Sequence, residues 1–252
     1  MARERDILDA SVTALGDRVA SMSPGELGAS AYPAGWSVAD VCSHLGSSAE
    51  IFTNSIDVAL GGAELPPQPI WDAWNAKEPE EQAADFRRAD RALVDRLDAL
   101  TADERENFAF KMGPLDLDFT TFVRLRINEH TLHRWDIEVA RDPQAALSAD
   151  AVPLILEQVP MIAGWAARPR ATANRAEYSV RTTAPDARFV CTIAPNEVHL
   201  VATEASAEPA DIVLPAEALI RLVYGRLDVA HTPPFEGDGA ILDEICAMFP
   251  GL

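Results

Sequence analysis

The sequence is poor in basic residues and has almost no lysine. Its 252 residues include 21 lysines and arginines against 40 aspartates and glutamates, which gives a formal net charge of −19. Only Lys77 and Lys111 are lysines. Because nucleic acids and anionic membrane surfaces attract proteins through clustered positive charge, a chain this acidic is not expected to bind either of them.

Long hydrophobic runs are also absent. No apolar stretch approaches the ~18 residues of a membrane span, and the N-terminal segment has neither the basic nor the apolar region of a secretory signal. The three cysteines, Cys42, Cys191 and Cys246, are far apart, so neither a disulfide framework nor a Cys-x-x-Cys metal site is expected. We therefore expect a cytoplasmic protein, with enough apolar residues, 48%, for one large domain or two modest ones.

A pair of possible metal ligands lies in a long amphipathic segment, from Asp118 to Arg141. Glu129 and His133 are four residues apart, so at about 100° per residue they differ by only ~40° around a helix axis and project from one face. Zinc binds imidazole nitrogen and carboxylate oxygen readily, and catalytic zinc keeps three protein ligands and one open position. The same spacing is also typical of ordinary surface pairs. His130, ~100° away, is expected to be a packing or surface residue.

A third ligand has to come from elsewhere, and His44 is the best candidate. It lies on a second predicted helix that begins after Ser37, where the serine and Asp40 approximate a capping box. His44 is next to the apolar stripe of this helix, a position at which many histidines are simply satisfied core residues. Asp136, three residues after His133, is placed either to hold that ligand from the second coordination shell or to be an ordinary charge of the last helical turns.

The first part of the chain has helical periodicity. Four helices in a short chain segment predict a four-helix bundle, in which metal sites are built from inward-facing side chains of different helices. The connection over 63–78 contains three prolines and two tryptophans and is predicted to be an irregular crossover. The predicted helices cover 4–22, 38–60, 79–100 and 118–141.

The second part of the chain has a different pattern. A stretch rich in arginine, alanine and proline, 166–176, is the expected domain boundary, so the predicted domains are 1–165 and 166–252. The expected fold class is therefore an all-α four-helix bundle followed by a small α+β domain with an antiparallel sheet. The other predicted elements are a helix over 148–165, a three-stranded meander over 177–202, a strand over 211–214 and two helices, from Pro215 to Tyr224 and from about 238 to 248.

Several motifs together resemble a known family. Residues 36–45 (WSVADVCSHL) and 129–136 (EHTLHRWD) resemble the metal-binding pattern of the mycothiol-dependent maleylpyruvate isomerase family, whose N-terminal bundle is DinB-like. Residues 214–226 (LPAEALIRLVYGR) and 235–251 resemble the sterol-carrier-like domain that follows the bundle in the same proteins. The resemblance covers nearly the whole chain, with the motifs in the family's order.

The resemblance implies a cofactor set and a chemistry. His44, Glu129 and His133 match the family's zinc ligands, although such a set also suits other divalent metals, and mycothiol would coordinate the metal as its thiolate. In the isomerase reaction the thiolate would add to the cis double bond of maleylpyruvate, and rotation and elimination would give fumarylpyruvate. In a transferase relative the thiolate would instead attack an electrophile and leave as the conjugate. Arg226 matches an arginine that the family places near the substrate, where it suits a carboxylate; a helix C-terminal arginine serving the macrodipole is the alternative.

Two other functions stay open. A metal-dependent hydrolase using zinc-bound water would need a general base beside the metal, for which Asp40 and Asp136 are the nearby candidates. A non-enzymatic DinB-like stress or binding protein would keep the fold without the chemistry. The expected partners are a low-molecular-weight thiol and a small-molecule substrate, and the protein is expected to be a monomer or a homodimer.

Overall fold

The structure, a computed structural model, describes residues 2–171, 173–205 and 209–251 and divides into two compact units, Met1–Ala145 and Ala146–Leu252. Over the described residues, the helices and strands of the first unit are seven helices and one short antiparallel hairpin. Its elements are α1 (Ala2–Ala20), α2 (Pro24–Leu27), α3 (Val38–Ala59), α4 (Pro67–Asn75), α5 (Pro79–Asp98), α6 (Ala102–Glu106), β1 (Phe110–Met112), β2 (Leu115–Leu117) and α7 (Phe119–Val139).

The four long helices, α1, α3, α5 and α7, form the predicted bundle. α3 packs on α5, and α1 packs on both α5 and α7, around one apolar core. The apolar residues of α1 recur at spacings of three and four, so they share one helix face, and this face packs into the core. The buried residues of this face are Leu8, Val12, Leu15 and Val19.

Both helices that carry the candidate ligands begin at a capped residue. At the start of α3, Ser37 Oγ accepts from the Asp40 backbone N–H at 3.1 Å, and Asp40 Oδ2 accepts from the Ser37 backbone N–H at 2.8 Å, which confirms the predicted capping box. At the start of α7, Asp118 Oδ1 accepts from the Thr121 backbone N–H at 2.7 Å. These bonds fix the first turn of each helix and hence its register.

The prediction of an irregular crossover over 63–78 was wrong, because most of this segment is helix α4. Its prolines lie at the N-cap and in the first turn, where backbone N–H groups have no intrahelical acceptor, so they start the helix rather than break it. α4 buries Trp74 against α3: a Cβ added at Gly46 would lie 2.1 Å from Cη2 of that indole. Gly46 therefore permits the close approach of the two helices.

The second unit is a mixed α+β structure, as predicted. Its elements are α8 (Val152–Ala166), β3 (Ala176–Thr183), β4 (Ala187–Ala194), β5 (Glu197–Ala202), β6 (Ile212–Pro215), α9 (Ala216–Val223), β7 (Glu236–Gly237) and α10 (Gly239–Cys246). The five-stranded sheet has the order β5-β4-β3-β6-β7 and is antiparallel except that β6 runs parallel to β3, because the chain crosses from β5 to the other side of β3.

Helix α8 belongs by its packing to the second unit, where it lies against α9 and β5. The compact units accordingly divide between Ala145 and Ala146, before this helix. The domains predicted from the sequence, 1–165 and 166–252, assign this helix to the bundle. These limits stay a prediction. Among the helices that the structure describes, none is long and apolar enough to span a bilayer.

Candidate metal centre

Three side chains of the first unit converge as the helical spacing predicts. His44 on α3 faces Glu129 and His133 on α7, and one ligand atom from each lies within 4.8 Å of the other two. Glu129 Oε2 lies 2.9 Å from His44 Nε2 and 3.6 Å from His133 Nε2. Each side chain is partly buried or buried, and a third of the His44 side chain, 34%, remains exposed. The cluster therefore sits at the edge of the bundle core, with part of the His44 and Glu129 side chains exposed to solvent.

The arrangement fits a divalent metal. Atoms bound tetrahedrally to zinc at 2.0–2.2 Å lie roughly 3.4 Å from one another. The two separations from Glu129 Oε2, 2.9 and 3.6 Å, bracket that value. Two imidazoles and one carboxylate form a common donor set of catalytic zinc sites, which leaves a coordination position for a further ligand.

Asp136 fixes the orientation of His133. Its Oδ2 lies 2.8 Å from Nδ1 of His133, and the carboxylate is fully buried. Because an ionised carboxylate can only accept, Nδ1 donates and Nε2 is left unprotonated in the neutral ring, which is the form a metal requires. Of the two interpretations of Asp136 from the sequence, the geometry favours support of the ligand.

The electrostatics of Glu129 and His133 favour the protonation states in which these two groups bind a metal. Burial alone raises the pKa of Glu129, but the hydrogen bond that His44 donates and nearby positive charge, including that of the Arg126 guanidinium, outweigh it, so its pKa lies well below the usual range. Burial lowers the pKa of His133, and the hydrogen bond to Asp136 only partly opposes this shift. An ionised carboxylate thus stands beside a neutral imidazole at neutral pH.

Trp36 packs on both candidate ligand histidines, a contact that the sequence did not reveal beyond the place of Trp36 in the motif. Its ring is nearly parallel to that of His133, with an interplanar angle of 7° and centroids 6.1 Å apart. Its centroid is 5.5 Å from that of His44, and the two imidazole centroids are 4.5 Å apart. The indole therefore restricts the rotation of both imidazoles from one side.

The remaining candidates have other surroundings. His130 is buried with Nε2 at 3.0 Å from Asp90 Oδ2, outside the cluster, which confirms that it is a packing residue. Asp40, a candidate base for a hydrolase, is engaged in the capping box of α3. Asp136, the second such candidate, is engaged with His133.

Arg226 lies in the second unit, just after the end of α9. Gly225 precedes it with φ +69°, the left-handed conformation that commonly ends a helix. The Arg226 backbone N–H donates to Arg221 O at 2.7 Å, and its Nη1 donates to Tyr224 O at 3.1 Å. The side chain is half-buried, and its role toward a substrate stays a prediction.

Comparison with known proteins gives consistent matches. The family model described as mycothiol maleylpyruvate isomerase N-terminal domain matches residues 8–138, a range that contains His44, Glu129 and His133. The crystal structure of a mycothiol-dependent maleylpyruvate isomerase has a TM-score of 0.65 at 11% identity, covering 91% of this chain and 95% of that one. A histidine-to-alanine mutant of such an isomerase gives the same TM-score and coverage at 10% identity. At these identities the similarity shows the fold alone. No curated protein sequence matches the chain.

Proposed function

The chain belongs to the mycothiol maleylpyruvate isomerase family, and on this premise we propose that it is a metal- and mycothiol-dependent enzyme acting on a small electrophilic substrate. Within that class we propose cis–trans isomerisation of an unsaturated keto acid of the maleylpyruvate type. The solved structures of the same fold carry this activity in their names. The metal is zinc or another divalent ion with the same ligand preference.

The observation that carries the proposal is the convergence of His44, Glu129 and His133 within 4.8 Å. Two helices supply these donors, so the set is built by the fold and is more than a pair of neighbours on one helix surface. When bound there, a divalent cation stabilises a thiolate beside it and so supplies a nucleophile that is scarce at neutral pH.

The residues of the chain hold and orient the groups that this chemistry needs. Glu129 brings a negative charge between two imidazoles, Asp136 keeps Nε2 of His133 available, and Trp36 limits the motion of both rings. In the proposal, Arg226 binds a carboxylate of the substrate, because a guanidinium can donate two parallel hydrogen bonds to one carboxylate. The support for Arg226 is this chemistry and its match to the family motif.

Two other functions have less support. A hydrolase would need a free base at the metal, and both sequence candidates, Asp40 and Asp136, already accept hydrogen bonds within the bundle. A binding protein without catalysis would give no reason for a complete donor set with an oriented imidazole. We also place the enzyme in the cytoplasm, because thiols stay reduced there and the three cysteines, Cys42, Cys191 and Cys246, are free.

The direct test is an assay of the zinc-loaded protein with maleylpyruvate and a catalytic amount of mycothiol, with the products separated by chromatography and mass spectrometry. Isomerisation regenerates the thiol, so we expect many molecules of the trans product for each mycothiol. One conjugate for each thiol consumed would identify an S-transferase instead. Controls omit mycothiol or use His44→Ala, and equal conversion in either control would contradict the proposal.

A further inference from the structure

A group of buried ionisable residues lies beside the candidate metal centre without belonging to it. Asp90 on α5 and Arg126 and His130 on α7 are each only 1% exposed. Arg126 Nη2 donates to Asp90 Oδ1, and the other oxygen of Asp90, Oδ2, is 3.0 Å from His130 Nε2. We call these three residues the Asp90 cluster.

Arg126 also joins the Asp90 cluster to α3. Its Nη2 donates to the backbone oxygen of Leu45 at 2.8 Å, and its guanidinium carbon lies 5.7 Å from the ring centroid of Phe52. Both partners belong to α3. One guanidinium therefore contacts α3 at two places while it is paired with a carboxylate of α5, and so it connects three helices of the bundle.

These connections are made at the residues next to the ligands. Leu45 directly follows His44, His130 directly follows Glu129, and Arg126 lies three residues before Glu129 on the same side of α7. A movement of α3 along α7 would therefore break the hydrogen bond to Leu45 and separate His44 from Glu129 together. The groups of a functional site have to be held within about 0.5 Å of the productive geometry. A metal site built from α3 and α7 therefore requires that these two helices do not slide past each other.

Stability alone is a weak reason for keeping such a pair. Burying two charges carries a large desolvation penalty, and replacing a buried ion pair by well-packed apolar residues is often neutral or stabilising. What a buried charged hydrogen bond provides, and apolar contacts do not, is direction: Arg126 has to point at one carboxylate and one carbonyl at the same time.

We propose that Asp90 and Arg126 are positioning residues for the metal centre, which set the placement of α3 against α7 at which His44, Glu129 and His133 converge. This inference rests on the proposed function, since it takes these three side chains as metal ligands. Neither residue belongs to the candidate ligand set. Both act through the helices that carry the ligands.

The test compares the wild type with the double variant Asp90→Leu/Arg126→Met, which removes both charges of the pair and leaves neither partner buried alone. The zinc Kd is measured by competition with a chelator, the ligand geometry by the visible spectrum of the cobalt-loaded protein, and the fold by urea unfolding. We expect zinc binding about 10- to 100-fold weaker and a changed cobalt spectrum, with an unfolding midpoint close to that of the wild type. Wild-type affinity together with a wild-type cobalt spectrum would overturn the inference.

A matched control is available on the same helix. Arg124 Nη2 pairs with Glu4 Oε1 at 2.8 Å and so joins α7 to α1. Arg124→Met removes an arginine–carboxylate pair of the same kind and is expected to leave the zinc Kd and the cobalt spectrum unchanged. An equal loss of zinc affinity in Arg124→Met would show a general loosening of α7, and it would overturn the positioning role.

Two further variants keep the result decisive. If the double variant does not fold, Arg126→Lys keeps the charge opposite Asp90 but lacks the planar fork, and we expect intermediate zinc affinity with a shifted cobalt spectrum. Unchanged values for Arg126→Lys would contradict the inference. His44→Ala, measured in the same series, separates the ligand assignment from the positioning role. If His44→Ala keeps full zinc affinity, the ligand assignment is wrong. If His44→Ala weakens zinc binding and the double variant does not, only the positioning role of Asp90 and Arg126 is overturned.

Discussion

Asp136 Oδ2 lies 2.8 Å from Nδ1 of His133 and thereby determines which nitrogen of that imidazole is turned toward Glu129. The carboxylate is fully buried, so water does not compete for this hydrogen bond. The two residues are three apart on one helix, and their hydrogen bond orients His133 within the candidate ligand pair Glu129 and His133. A surface pair of the same spacing has no such support.

We expect Asp136→Asn to weaken zinc binding about 10- to 100-fold, because an amide can also donate and so no longer enforces one tautomer of His133. The zinc Kd from chelator competition measures this effect. Glu138→Gln is the matched control, since Glu138 lies on the same helix but pairs with Arg134. Equal zinc Kd values for Asp136→Asn and the wild type would contradict a role of Asp136 in orienting His133 for the metal.

Substitution of Gly46 tests the close approach of α4 to α3. A Cβ at this position would lie 2.1 Å from Cη2 of Trp74, whose Nε1 also donates to Glu50 Oε1 at 3.0 Å, so the indole cannot move freely. We expect Gly46→Ala to lower the free energy of unfolding by about 1–3 kcal/mol, as overpacking does. Urea unfolding measures it. Gly164→Ala, on α8, brings the new Cβ within 4 Å of no atom beyond its chain neighbours and the backbone of its own helix, so it should instead be neutral or stabilising by up to about 1 kcal/mol.

The buried Asp90 makes a pH-dependent contribution to stability. Burial raises the pKa of Asp90, but the charges and hydrogen bonds of His130 and Arg126 outweigh it, so its pKa is lowered on folding. A carboxylate with a lowered folded-state pKa stabilises the protein fully above the unfolded value, about 4, and loses this contribution as the pH falls toward the folded value. We therefore expect Asp90→Asn to reduce the free energy of unfolding by about 3–5 kcal/mol at pH 7 and by progressively less below pH ~4. A difference that stays constant between pH 7 and pH 3 would contradict this assignment.

Arg226 is expected to act on the substrate and not on the metal. Loss of a charged hydrogen-bond donor to a carboxylate costs roughly 1.5–3 kcal/mol of binding free energy. Arg226→Ala should therefore lower kcat/KM about 10- to 100-fold, mainly by raising KM, and leave the zinc affinity unchanged. Arg226→Lys should recover part of the loss. If Arg226 serves only the end of α9, both variants will change the unfolding midpoint and leave KM as it is.

The features that the sequence predicted are those that depend on neighbours along the chain. The long helices follow from apolar spacing, and the juxtaposition of Glu129 with His133 follows from the turn of one helix. The capping box at Ser37 likewise needs only residues within one turn. His44 could be proposed because a bundle places inward-facing residues of different helices together.

The features that could not be predicted from the sequence involve residues that are far apart in the chain. Arg126 is 36 residues from Asp90 and 81 residues from Leu45, and no periodicity indicates that these groups meet. The prolines at the start of α4 suggest an irregular segment, although prolines at the N-cap and in the first turn are compatible with a helix. The parallel pairing of β6 with β3 likewise depends on a long crossover that strand patterns do not specify.

The zinc content of the purified, zinc-incubated and desalted protein tests the central claim most directly, measured by elemental analysis for the wild type, His44→Ala and His199→Ala. His199 lies exposed on β5 and serves as the matched histidine control. We expect about one zinc per chain in the wild type and in His199→Ala, and little or none in His44→Ala, because a catalytic site depends on all three protein ligands. Full zinc occupancy in His44→Ala, or none in the wild type, would contradict the account.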